Sequence, residues 1–217
     1  MIFLLPGLAR PATVLAKWRD LLPGRVEVLD IPGQGIEPPL KVQTFEALVE
    51  HFADRLAPAS LVVGESLGGL IGLGLAGRGF RAVTFDPPLT LAKQWSLHYA
   101  ARTLAGGRPP EHPIYEFIAN IFGLLPDGSI EERIYYPLLD RLTAQVDVVT
   151  GDTPLWPYRG AGFGVACLID GVDEYVLQRS PNVCFHRVAG SHALLDSNPD
   201  ACVAIIEAAA QSLPSQA

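Results

Sequence analysis

The sequence predicts an α/β fold: a three-layer α/β/α sandwich around a mostly parallel sheet, with a helical lid inserted after the fourth predicted strand. Apolar strand-like runs alternate with helical apolar spacing along most of the chain, as in sheets built from βα units. The alternation stops over residues 90–143, where helical patterns follow one another. With 217 residues, 49% of them hydrophobic, the chain suits one domain, residues 1–217, that contains the lid at 90–143.

The first half of the chain alternates regularly between the two patterns. Expected strands are 2–7, 26–33, 60–65 and 81–89, and expected helices are 12–22, 44–56 and 67–79. Thr44 is suited to cap the helix at 44–56, whose apolar residues fall on one face.

The second half begins with the lid and then returns to alternation. Helices are expected at about 90–104, 113–122 and 129–143, separated by segments rich in proline and glycine. A strand at 146–150, a helix near 166–179, a strand at 182–190 and a helix at 198–213 complete the chain. Asn198 is the expected cap of the last helix, with Pro199 at its first position.

Composition excludes several classes of function. The net charge of −7, without a basic stripe, argues against nucleic-acid binding. The three cysteines lack CxxC spacing, which argues against a disulfide framework or zinc site and favours a reducing, cytoplasmic location. The five histidines form no HExxH motif, so we expect neither a metal nor another cofactor.

The chain also lacks the sequence features of export and membrane insertion. Its apolar N-terminus has no charged segment before it and is interrupted by Pro6 and Gly7, unlike a signal peptide. No apolar run approaches the ~20 residues of a membrane span. A small-molecule substrate is the expected partner, and the sequence does not indicate an oligomeric state.

The segment SLVVGESLGGLIGLG, residues 60–74, contains the strongest chemical signal. Ser66 stands between a predicted buried strand and a predicted helix, with Gly64 and Gly68 two residues to either side. A sharp elbow there would expose the hydroxyl, and glycine would be needed where the backbone is crowded. Ser66 is therefore the candidate nucleophile.

A serine nucleophile needs a base, and His192 is the best placed of the five histidines. It follows the last predicted strand, in the loop VAGSHALLDSNPD. In a parallel sheet the carboxyl ends of the strands gather at one edge, so this loop shares an edge with Ser66. The other four histidines fall in helices, in the lid or inside a strand.

The third member of a triad should be a carboxylate between Ser66 and His192 in the chain. Asp152, which follows the strand VDVVT after Gly151, is preferred; Asp173 and Asp86 remain alternatives. For the oxyanion, the backbone N–H of Leu67 is one expected donor. The N–H of Leu8, after the first strand, is the other, with Gly7 permitting the turn.

Four segments now carry a family resemblance. FLLPGLARPATVLAKW, DIPGQG, VVGESLGG and VAGSHALLDSNP span nearly the whole chain, which resembles the α/β-hydrolase superfamily. The resemblance implies an eight-stranded sheet with one antiparallel strand; this chain starts at what looks like the third strand. It also implies Ser66 as nucleophile, His192 as base and an acid after the penultimate strand, which matches Asp152.

The resulting expectation is a serine esterase that cleaves an ester or thioester of a small, partly apolar substrate through an acyl-enzyme. Aromatic side chains of the lid could line its pocket. A ligand-binding protein without catalysis, or a lyase or C–C hydrolase using the same triad, remains open because one fold can host several activities.

Overall fold

The structure, a computed structural model, describes residues 1–22, 25–91, 95–154 and 166–213 of the chain, except the side chains of 95–97 and 100. Its strands are β1 (Ile2–Leu5), β2 (Val26–Val28), β3 (Leu61–Glu65), β4 (Arg81–Phe85), β5 (Val146–Thr150) and β6 (Val183–Arg187). Its α-helices are α1 (Trp18–Leu21), α2 (Phe45–Ala53), α3 (Leu67–Ala76), α4 (Trp95–Ala105), α5 (Pro113–Phe122), α6 (Gly171–Leu177), α7 (Leu194–Ser197) and α8 (Pro199–Gln211). Two 3₁₀ turns cover Ala12–Leu15 and Tyr136–Arg141.

The six strands form one sheet in the order β2-β1-β3-β4-β5-β6. Every strand pairing is parallel, which confirms the predicted α/β fold and the six strands read from the chain. The antiparallel strand that the resemblance implies is not among the strands of the described residues. The order reverses between β1 and β3, and ligands of parallel sheets bind at the carboxyl ends of the strands beside such a reversal.

Helices cover the two faces of the sheet, and each face has its own core. One core joins α2, α3 and the residues between β4 and β5, while the other joins α8 and the segment around Trp18. All five residues of β3 and of β5 are buried. Burial on both faces explains why these strands read as continuous apolar runs.

Most predicted helix boundaries are shifted by a few residues, and three of the predicted helices differ in kind or in where they begin. The helix expected at 12–22 is divided into a 3₁₀ turn and α1. The helix expected at 129–143 is a 3₁₀ turn from Tyr136, preceded by isolated β-bridges at Ile130 and Ile134. Pro137 has no backbone N–H to donate, so it fits at the beginning of a helical turn but not inside a helix that runs from residue 129, which explains the late start.

The helix expected near 166–179 begins only at Gly171, where Asp170 caps it. The preceding amides of Leu168 and Ile169 cannot join the helix because both donate to the carboxylate of Asp86. The expected caps Thr44 and Asn198 are confirmed, since their side chains accept from Ala47 N and Ala201 N. The segment between the strand at 146–150 and the helix expected near 166–179 lies mostly outside the described part of the chain, which omits residues 155–165.

Candidate active site

Ser66 lies at the corner between β3 and α3, as the GxSxG pattern predicts. Its backbone has a φ of 53° and a ψ of −114°, a conformation that non-glycine residues rarely adopt. Its N–H donates to Phe85 O at 2.8 Å, and its carbonyl accepts the first bond of α3 from Leu70 N at 2.9 Å. Neighbouring structure therefore holds the strained corner in place.

The two glycines of the elbow are required by close backbone packing. A Cβ on Gly64 would lie 2.1 Å from Gly68 O, and a Cβ on Gly68 would lie 2.3 Å from Leu5 O. Real Cβ atoms do not approach backbone oxygens so closely, so the elbow closes only with glycine at both positions. This confirms the crowding inferred from the sequence.

Substituting Gly64→Ala is expected to lower the free energy of unfolding by about 2–3 kcal/mol, because the new methyl group displaces backbone. The melting temperature should fall by roughly 5–10 °C. Gly171→Ala is the matched control: its Cβ would meet nothing within 4 Å at the start of α6, and its melting temperature should not fall. Equal melting temperatures for the two variants would contradict the crowding.

The loop after β1 packs directly on the nucleophile elbow. A Cβ on Gly7 would lie 3.2 Å from the Cβ of Ser66, and Pro6 O accepts from Gly68 N at 3.1 Å. Close approach thus favours glycine at position 7; the left-handed residue of the turn is Ala9, with a φ of 59°. The loop thus brings Gly7, the residue before Leu8, beside the serine.

A second loop supports the first. Ala9 N donates to the side chain of Gln34 at 2.7 Å, and Ala12 N donates to Asp30 Oδ1 at 2.6 Å. Asp30 and Gln34 both belong to the segment DIPGQG after β2. This segment, which the sequence only marked as a turn, holds the loop after β1 in place.

His192 hydrogen-bonds to Asp86. Its Nδ1 lies 2.6 Å from Asp86 Oδ2, and a carboxylate can only accept, so Nδ1 carries the proton and Nε2 is left as an acceptor. Asp86 is fully buried and has a φ of 47°. Its carboxylate also accepts from Thr150 Oγ1 at 2.7 Å and from Leu168 N at 2.6 Å, which fixes its orientation.

The preference for Asp152 as the partner of His192 is corrected by this geometry. Asp152 Oδ1 accepts from Gly190 N at 2.9 Å, so this carboxylate anchors the histidine loop rather than the imidazole. Nor does the acid follow the penultimate strand, as the resemblance implied: Asp86 follows β4. Asp86 rather than Asp152 bonds to the His192 ring because Asp86 follows β4, and β4 lies directly beside β3, the strand that ends at Ser66.

The alternative Asp173 has a structural role. Its carboxylate completes the capping box of α6, accepting from Asp170 N at 3.0 Å, and also accepts from Tyr136 Oη at 2.6 Å. It is fully buried. Its hydrogen bonds to the start of α6 and to Tyr136 therefore account for this carboxylate.

Ser66 and His192 share the carboxyl edge of the sheet. Ser66 N bonds to Phe85 O, which directly precedes Asp86, and Asp86 holds the imidazole. The chain thus places a hydroxyl, an imidazole and a carboxylate at the ends of two adjacent central strands. Sequence reasoning could have favoured Asp86 from one signal: it directly follows the strand next to the serine.

A cavity of about 390 Å³ opens beside the loop after β1, and neither Ser66 nor His192 is among its lining residues. Leu8 and Ala9 form part of its wall, so it begins at the loop that packs on Ser66. Apolar side chains from the residues between β4 and β5 form the opposite wall: Leu104, Pro113, Ile114, Phe117 and Ile118. A cavity of this size and lining suits a small apolar group.

Most lid aromatics do not line this cavity. Phe117 does, whereas Phe122 is buried in the core and Tyr99 is 71% exposed. The hydroxyls of Tyr135 and Tyr136 donate hydrogen bonds to Ile121 O and to the carboxylate of Asp173, respectively. The side chain of Trp95 lies outside the described residues.

One cluster elsewhere has the composition of a metal site. Donor atoms of Asp147, Cys184 and His186 lie within 4.8 Å of one another on β5 and β6. Burial would raise the pKa of Asp147, but hydrogen bonds from His186 and Arg81 hold that pKa below its usual value. The carboxylate is therefore already paired, and the cluster is explained as an ion-paired group at the amino half of the sheet.

Comparison with known proteins agrees with the fold. The sequence profile of the Alpha/beta hydrolase family matches residues 2–205, so the chain belongs to that family. No curated protein matches the sequence significantly. None of the helices in the described ranges combines the length and apolarity needed to cross a bilayer.

Solved structures share this fold at low sequence identity. A lipase-esterase related protein from Clostridium acetobutylicum ATCC 824 superposes with a TM-score of 0.66 at 14% identity, covering 95% of this chain and 93% of that one. The N-formylmaleamic acid deformylase of Pseudomonas putida S16 gives 0.65 at 16%, covering 94% and 90%. The thioesterase domain of the curacin biosynthetic pathway gives 0.60 at 14%, covering 95% and 90%.

Proposed function

We propose that this protein is a serine hydrolase that cleaves an ester or thioester with a small apolar acyl group. The observation that carries the proposal is the hydrogen bond between His192 Nδ1 and the buried Asp86, one strand away from the elbow of Ser66. That bond leaves Nε2 of the imidazole as the acceptor that a serine nucleophile requires.

The reaction follows from these groups. Ser66 Oγ attacks the carbonyl carbon while His192 Nε2 takes the hydroxyl proton, and Asp86 stabilises the imidazolium that forms. The negative charge that develops on the carbonyl oxygen meets the N–H groups of Leu67 and Leu8. The imidazolium gives its proton to the leaving alcohol or thiol, and water then releases the acid by the same sequence of steps.

The oxyanion assignment is supported by the position of the two amides. Leu67 is the first residue of α3, so the N–H of Leu67 precedes the hydrogen-bond ladder of that helix and lies at its positive end. Leu8 follows Gly7, which packs on Ser66. Each such donor contributes roughly 3 kcal/mol to stabilising the transition state.

The cavity beside Leu8 favours the apolar acyl group as its occupant. Its lining includes Gln34, Gln43 and His112 as polar residues, and the rest is mainly apolar. Each buried methylene contributes about 0.8 kcal/mol, so kcat/KM should rise about fourfold per added carbon until the cavity is full. Residues 90–143 supply much of the cavity wall and would act as the lid in this proposal.

The test begins with a fluorophosphonate, followed by p-nitrophenyl esters from acetate to dodecanoate and matched acyl thioesters. A hydrolase is labelled at Ser66 and shows a chain-length optimum, whereas a ligand-binding protein is not labelled. Ile114→Trp should move the optimum to shorter chains by filling the cavity. Ile134→Trp, at an exposed residue outside this cavity, is the matched control. An intact but unlabelled Ser66 would refute the proposal.

A further inference from the structure

Arg10 lies where the three loops of the candidate active site meet. One guanidinium nitrogen, Nη1, is 2.5 Å from Glu65 Oε2, and the other, Nη2, is 2.6 Å from Asp196 Oδ2. Arg10 itself ends the turn after β1, where its N–H donates to Gly7 O at 3.3 Å. We call these two ion pairs the Arg10 bridge.

Each partner of the bridge is close in sequence to a candidate catalytic residue. Glu65 directly precedes Ser66, and Asp196 follows His192 by four residues, in α7. The loop that carries Arg10 also carries the amide of Leu8. A single side chain therefore joins the loops of the nucleophile, the base and the oxyanion donor.

The Glu65 end of the Arg10 bridge is buried, where a negative charge is costly. The side chain of Glu65 is only 2% exposed. Burial raises the pKa of Glu65, while the positive charge of Arg10 and the nearby His192 oppose the rise. Arg10 thus favours the ionised carboxylate one residue before the nucleophile.

The outer end is secured by a second cation. Lys17 Nζ lies 2.7 Å from Asp196 Oδ1, so Asp196 is held by both Lys17 and Arg10. Burial would raise the pKa of Asp196, but hydrogen bonds from these two cations hold it below its usual value. The carboxylate of Asp196 therefore stays ionised at neutral pH, and the outer ion pairs of the bridge persist under assay conditions.

We propose that Arg10 is a positioning residue that sets the separation between the oxyanion amide of Leu8, the Ser66 elbow and the His192 loop. The proposal rests on the proposed function for its effect on turnover. Arg10 touches neither the candidate nucleophile nor the imidazole by a hydrogen bond in the described residues, so it acts through the backbone of the loops it joins. Its planar guanidinium suits this because it reaches two carboxylates at once.

A simpler role would be to neutralise the buried charge of Glu65. The two roles separate in the double variant Arg10→Met with Glu65→Gln, which removes the cation and the buried anion together. If Arg10 only neutralised the charge of Glu65, the double variant would have wild-type turnover. Positioning predicts that stability recovers relative to Arg10→Met while turnover does not.

The kinetic test uses p-nitrophenyl butyrate with wild type, Arg10→Met, Arg10→Lys and the double variant. We expect kcat of Arg10→Met and of the double variant to fall on the order of 10–100-fold, with KM within about threefold, because misplacement of about 1 Å impairs the transition state more than binding. Arg10→Lys should recover only part of the loss. Its ammonium keeps the positive charge, but as a point charge it does not reach both carboxylates as the guanidinium does. Arg25→Met, which breaks the exposed pair with Glu207, is the matched control and should behave like wild type.

A second readout does not depend on turnover. Hydrogen exchange of the amides in residues 7–10 and 191–197 should be faster in the double variant than in wild type and Arg25→Met. Unchanged exchange in both loops, or wild-type kcat in the double variant, would overturn the positioning role. If wild type itself hydrolyses no ester, the proposed function fails, and the exchange measurement decides the bridge separately.

Discussion

Replacing Ser66 with alanine should lower kcat for p-nitrophenyl butyrate by at least about 10⁴-fold, because loss of a triad nucleophile removes the covalent route. Ser66 is 5% exposed at the elbow, and a smaller side chain fits there without collision. The fold should persist, so the melting temperature should stay within a few degrees of wild type. Residual hydrolysis should be close to the background rate.

Ser60→Ala is the matched control for this experiment. Ser60 is also buried and directly precedes β3, the strand that ends at the elbow. Ser60→Ala removes a serine Oγ, as Ser66→Ala does, but at the amino end of β3 rather than at the elbow. The kcat of Ser60→Ala should therefore match wild type. Undiminished turnover by Ser66→Ala would assign the chemistry to another residue.

Asp86→Asn should lower kcat by roughly 10³–10⁴-fold, because an amide no longer holds the imidazole in the tautomer that leaves Nε2 free. The contrast with Asp152→Asn is the decisive measurement. The amide introduced by Asp152→Asn can still accept from Gly190 N through its carbonyl oxygen, as the carboxylate of Asp152 does. The kcat of Asp152→Asn should therefore stay within about threefold of wild type, the size of effect expected when no catalytic contact is lost.

Stability must be measured beside kcat for Asp86→Asn. Asp86 accepts from Thr150 and from the amides of residues 168 and 169, so the amide loses acceptors that the carboxylate supplied. Turnover is therefore compared well below the melting temperature, where both variants are folded. A large loss in Asp152→Asn with little loss in Asp86→Asn would return the acid role to Asp152.

The sequence predicted the sheet well because its strands are buried on both faces. The runs LVVGE and VDVVT are buried throughout, and burial of this kind produces a short, nearly continuous apolar run that its length identifies as a strand. Helix boundaries were less accurate. The start of α6 depends on Asp86, 82 residues before Leu168 in the chain, and local propensity contains no record of such a partner.

The candidate site was predictable where its signal is local and was missed where it depends on strand order. Ser66 stands out because crowding requires Gly64 and Gly68 within four residues of each other. Asp86 required knowledge that β4 lies beside β3 and that the loop after β6 reaches across β5. Arg10 gave no motif at all, since its two carboxylate partners are 55 and 186 residues away.

Asn198 links the C-terminal helix to the loop of the imidazole. Its Oδ1 caps α8 through Ala201 N, while its Nδ2 donates to Ala189 O at 2.8 Å, three residues before His192. One side-chain amide thus caps the last helix and also holds the loop that carries His192. Loss of this amide, as in Asn198→Ala, would consequently loosen the start of the last helix and the loop of the imidazole together.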